Sequence, residues 1–64
     1  MERLRELREE KGLSQRQLAK ELGFSPNTIC QYETGKREPD IRTIKKLCDF
    51  FEVTSDYLLG FSEF

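Results

Sequence analysis

Sixty-four residues, with 11 Lys/Arg against 12 Asp/Glu and no histidine, suffice for one small domain whose core leaves little stability in reserve. Hydrophobic and charged residues each make up 36% of the chain, a mixture that fits a folded unit with a solvated exterior and excludes a disordered tract or a membrane span. The net charge of −1 is unevenly spread: residues 1–37 hold eight Lys/Arg and six Asp/Glu (+2), residues 38–64 three and six (−3), so a mildly basic front and an acidic rear remain compatible with a polyanionic partner.

The whole chain, 1–64, reads as a single domain, and because Glu2-Arg3 follows Met1 where a secretory leader would turn apolar, a cytoplasmic location is expected. Cys30 and Cys48 stand 18 residues apart. Without histidine they match none of the usual zinc spacings, and they form no CxxC redox pair, so two buried thiols, no metal and no cofactor are expected.

Leu4 and Leu7, set among arginines and glutamates, predict a first helix over Glu2–Lys11, stopped at Gly12. Ser14 offers a capping oxygen, Gln17 completes a capping box, and Leu13 is placed to staple onto Leu18. The second helix buries Leu18, Ala19 and Leu22 and stops at Gly23. Ser25-Pro26 repeats the pattern, with serine as cap, proline at the first helical position and Phe24 as a staple onto Ile29. This third helix closes at Gly35, and Lys36-Arg37-Glu38-Pro39 forms a charged loop. Asp40 then caps a fourth helix whose Ile41, Ile44, Leu47, Cys48 and Phe51 form a core stripe. Thr54 caps a short fifth helix, with Val53 meeting Leu58 and Gly60 as its end. Phe61 and Phe64 follow, placed either to seal the bundle or to build a dimer contact. The fold class is therefore all-α, a five-helix bundle.

Residues 14–33 carry the functional signal. Two helices of about eight residues meet at Gly23, which turns the chain without the Cβ penalty, while Ala19 allows a close crossing; together these set the wide angle of a helix-turn-helix. On the third helix, Ile29, Tyr32 and Glu33 mark an inward side. Asn27, Thr28 and Gln31 lie opposite, and they suit base edges: an amide pairs with adenine N6 and N7, and threonine offers a hydroxyl or a methyl to thymine, each good contact discriminating by about 1–3 kcal/mol. Ser25 divides between capping and a base or phosphate contact. Gln15, at the start of the second helix where free N–H groups attract an anion, is a candidate phosphate contact together with Arg16, Lys36 and Arg37. Arg42, Lys45 and Lys46 are weaker candidates, because a surface helix carries such residues anyway.

Taken in order, L-R-E-L-R from Leu4, L-S-Q-R-Q-L-A from Leu13, the turn glycine, I-C-Q-Y-E-T-G-K-R-E-P from Ile29 and V-T-S-D-Y-L-L-G from Val53 resemble the phage repressor and Cro family, from about Leu4 to Gly60. The resemblance implies a lambda-repressor-like bundle, sequence-specific binding to operator DNA and a two-fold dimer, with repression the expected outcome. It also implies an ion pair between Arg8 and Glu33, since a carboxylate on the inward side needs a partner. Pro26 departs from the family, in which a polar residue often touches DNA at this place. Its ring alone can pack, so a preference there is weak and apolar, and Asn27 and Gln31 carry more of the specificity.

No glycine-rich phosphate loop, metal-ligand spacing or water-excluding cleft suggests an enzyme. The rival reading is a protein-interaction module derived from the same fold, an antirepressor, coactivator or antitoxin, for which net charge −1 speaks. The polar Asn27-Thr28-Gln31 face speaks against it, because a protein-docking helix more often shows an apolar patch.

Overall fold

The computed structural model describes residues 1–61, and among them the chain is helical throughout: α1 (Glu2–Glu10), α2 (Gln15–Leu22), α3 (Pro26–Thr34), α4 (Ile41–Phe51) and α5 (Ser55–Leu58). Short polar caps define most of the starts. Ser14 Oγ accepts from the Gln17 N–H at 3.0 Å while the Gln17 amide oxygen accepts from the Ser14 N–H at 2.8 Å, which closes the capping box of α2. Ser25, Asp40 and Thr54 each accept the N–H three residues on, from Thr28, Thr43 and Tyr57. Each such cap contributes about 1 kcal/mol by satisfying an orphan donor, a large share of the stability of so small a unit.

The turn between α2 and α3 depends on Gly23, at φ 76° and ψ 27°, a left-handed conformation that costs a residue with a Cβ about 1–2 kcal/mol. There the Phe24 N–H reaches back to the Ala19 carbonyl at 2.8 Å, so the chain reverses at once and sends α3 across α2. Ala19, 1% exposed, presents only a methyl at this crossing.

Each helix sends one residue to the centre: Leu4, Leu18, Ile29, Leu47 and Leu58 are all at most 1% exposed. Leu7, Leu22, Tyr32 and Phe51 surround them, and Leu13, Phe24, Ile44 and Val53 close the periphery. Two contacts depart from the sequence pattern in α4. Ile41 is 84% exposed and Thr43 buried, because at about 100° per residue Ile41 falls well off the line through Leu47 and Phe51 whereas Thr43 lies beside it. Cys30 and Cys48 are half-buried free thiols, not buried ones; burial, then the neighbouring Asp49 charge, raises the Cys48 thiol pKa. Phe61 is 81% exposed, so it does not seal the bundle, and Phe64 lies outside the described residues.

Candidate nucleic-acid interface

The reverse side of α3 is fixed before its front is free to act. Ile29 and Tyr32 are buried, and the Tyr32 ring meets Phe24 edge-on at 6.3 Å. Beside them Glu33 sits with its side chain 4% exposed. Arg8 of α1 grips it with both arms of the fork, Nε donating to Oε2 at 2.6 Å and Nη2 to Oε1 at 3.2 Å. The remaining Arg8 nitrogen donates to the Leu13 carbonyl at 2.7 Å. Hydrogen bonding to Glu33 raises the arginine pKa above its ordinary value.

Gln15 joins the same carboxylate. Its amide nitrogen donates to Glu33 Oε1 at 3.0 Å, so one acid collects donors from α1 and α2 and ties both to α3. Sequence reasoning assigned this amide to a phosphate. One of its two N–H groups is instead occupied, and the second is left for an outside acceptor. The signal that could have revealed this is the unmatched acceptor capacity of an inward carboxylate, which two arginine bonds do not exhaust. At the far end of the helix, the Met1 nitrogen donates to the Tyr32 carbonyl at 2.9 Å, and the Arg37 N–H closes onto the Gln31 carbonyl at 3.2 Å.

The front of α3 is polar. Asn27 is exposed and Gln31 half-exposed, and at about 100° per residue they share one face directly opposite Ile29 and Tyr32. Thr34 belongs to that face by the same geometry, but its hydroxyl turns back to the Cys30 carbonyl at 2.9 Å. Thr28 stands on the flank, half-exposed. Its hydroxyl lies 2.8 Å from that of Ser25, which also accepts the Thr28 N–H at 3.2 Å. The two hydroxyls expected at base edges are thus bonded to each other.

Cations flank this front. Arg16, Lys36 and Arg37 are exposed, the first near the start of α2 and the others just beyond the end of α3. Arg37 carries its guanidinium 5.8 Å from the Tyr32 ring centre, a cation–π contact that holds the charge close to α3. On α4, Lys46 lies over the Phe24 ring at 5.2 Å, while Arg42 and Lys45 are exposed. The architecture thus offers an amide-bearing helix held from behind by polar and apolar contacts with α1 and α2, with exposed cations near the start of α2 and just beyond the end of α3.

A sequence model described as helix-turn-helix matches residues 4–58. The chain belongs to the helix-turn-helix family. It is 39% identical over 61 residues to the HTH-type transcriptional regulator ImmR of Bacillus subtilis (strain 168), covering 95% of this chain and 48% of ImmR. Against the HTH-type transcriptional activator BcrR of Enterococcus faecalis the identity is 42% over 62 residues, 97% of this chain and 30% of BcrR. Against the cryptic phage CTXphi transcriptional repressor RstR of Vibrio cholerae it is 36% over 61 residues, 95% of this chain and 55% of RstR. This helix-turn-helix chain therefore spans about half the length of ImmR and RstR, and less of BcrR. No solved structure matches it.

Proposed function

We propose that this chain is the sequence-specific DNA-binding domain of a transcriptional regulator, which lays α3 in the major groove of a palindromic operator. The observation that carries this reading is the division of α3 into two sides: a reverse locked by Ile29, Tyr32 and the Glu33 carboxylate, and a front that turns Asn27 and Gln31 to solvent. A helix held in this way meets base edges with its backbone already placed, and amides are the groups that pair with adenine.

In this reading Ser25 and Thr28 stand at the entrance of the groove, and Gln15, Arg16, Lys36 and Arg37 hold the phosphates on either side. Gln15 donates its second amide proton outward while Glu33 orients the group. A single unit covers one half-site. Two copies related by a two-fold axis cover half-sites about 34–36 Å apart, and the exposed Phe61 and Leu59 offer apolar surface for that pairing. Repression is the outcome that needs only occupancy of the operator; among the relatives, BcrR is named an activator and RstR a repressor. Nothing in the reading calls for catalysis, and a cytoplasmic site of action follows from the DNA partner; no helix among the described residues is long and apolar enough to cross a membrane.

Selection of binding sequences from a random duplex pool, followed by gel-shift titration of the enriched duplex at several salt concentrations, tests the reading. A recovered inverted repeat bound with steep salt dependence is the expected result, since released counterions drive phosphate contacts. A pool that remains random after selection refutes it.

A further inference from the structure

We infer that the start of α3 recognises a C5-methylated pyrimidine through the ring of Pro26, and that Ser25 and Thr28, whose hydroxyls are bonded to each other, position this ring. The inference rests on the reading of α3 as a groove-binding helix. In that geometry the first residues of the helix meet the base edges, so what the first turn exposes decides what it can read.

Three observations fix what is exposed there. Pro26 is the first residue of α3 and is exposed to solvent. It has no N–H to give, and its ring is a rigid apolar surface. The neighbouring hydroxyls are bound to one another at 2.8 Å, and Ser25 Oγ also accepts the Thr28 N–H. Of the two hydroxyl protons the pair owns, one lies in the bond between them. Either oxygen can turn to a base only with the second proton or a remaining lone pair, in the directions that the shared bond and the cap of α3 leave open. The exposed proline is subject to no such competition. In the major groove the one apolar group on a base edge is the C5-methyl of thymine, which 5-methylcytosine also carries.

The proline is held for this role by the cap beneath it. Ser25 in extended conformation, φ −83° and ψ 152°, is what a following proline requires. Its bond to Thr28 fixes the first turn on the other side of the ring. Ser25 and Thr28 are therefore positioning residues, and Asn27, adjacent and exposed, supplies the polar contact next to the methyl.

The test uses the duplex enriched by the wild-type chain. Each thymine of one half-site is replaced in turn by deoxyuridine, which removes the methyl and keeps every hydrogen-bonding group. One position is expected to weaken binding about fourfold, the loss corresponding to one buried methyl-sized group. With Pro26→Ser that penalty should vanish at the same position, and with Thr28→Ser, which keeps the hydroxyl and drops the threonine methyl, it should persist. No sensitive thymine, or a penalty that survives Pro26→Ser, or one lost in Thr28→Ser, overturns the inference while leaving the DNA-reading proposal intact. The deoxyuridine scan with wild-type chain needs no variant to fold, and thermal melts of both variants test whether they do. If selection enriches no duplex at all, the underlying reading fails first and this one with it.

Discussion

The front of the molecule, where α1, α2 and α3 meet, and the rear, where α4 and α5 complete the bundle, are held by different means. In front, a single carboxylate accepts two bonds from Arg8 and one from Gln15, with serine caps and glycine stops defining both ends of α2 and α3. At the rear, α4 packs through Leu47 and Phe51 and ends on Glu52, a non-glycine residue at φ 57°. Hydrogen bonds add direction to helices that apolar packing already buries, and in the proposed reading the helix that meets DNA is the one that receives them from two neighbours.

The hardest way to break this contrast is Glu33→Ala, which leaves the partly buried Arg8 without its carboxylate and should cost up to about 3–5 kcal/mol, the figure for a fully buried pair. Urea unfolding monitored by circular dichroism measures the loss. Replacing both partners, as Arg8→Met with Glu33→Leu, should be less damaging than either single change, because no uncompensated charge remains. Additive losses in that double-mutant cycle would mean the pair does not act as a unit. At the rear, Leu47→Ala should cost about 2–5 kcal/mol, chiefly through the cavity left behind. Unlike the Glu33 change, it should leave the DNA sequence preference of the folded fraction untouched.

Smaller changes sharpen the picture. Ser14→Ala removes half of the capping box and should lower stability by about 0.5–2 kcal/mol. Glu52→Gly is expected to stabilise the chain by about 0.5–1 kcal/mol, the left-handed strain of a Cβ being partly offset by the extra freedom of glycine when unfolded; a fall in melting temperature would show that Glu52 does something beyond ending α4. The smallest effect concerns acid. Hydrogen bonds from Thr43 hold the Asp40 carboxyl below its ordinary pKa. The folded group is therefore the stronger acid, and its contribution is complete above the unfolded pKa and is lost as pH falls through the lower, folded one. Asp40→Asn, which keeps a capping oxygen, should flatten that part of a melting-temperature profile taken through the acid range.

Much of this was legible in the sequence, for an identifiable reason. Caps and stops are local, so Ser14, Gly23, Ser25 and Asp40 announced the helix ends within a residue or two. Core positions followed from spacing where the stripe is long. Ile41 lies outside the buried stripe because rotation of about 100° per residue carries it away from Leu47 and Phe51, and the same rotation brings Thr43 inward. Glu52 gave no sign, since only the folded backbone shows a left-handed glutamate. In the candidate site, the outward amides Asn27 and Gln31 could be derived from periodicity. The bond between the Ser25 and Thr28 hydroxyls and the turn of Gln15 toward Glu33 could not, because both depend on side-chain rotamers chosen among competing acceptors.

The shared carboxylate has a thermodynamic consequence. If α3 is the helix that docks, its anchoring to two neighbours leaves few backbone torsions to freeze, so complex formation should lose little backbone conformational entropy. Its heat-capacity change should then track the buried interface alone, without the excess that marks segments folding on contact, and its on-rate should follow charge steering more than internal rearrangement.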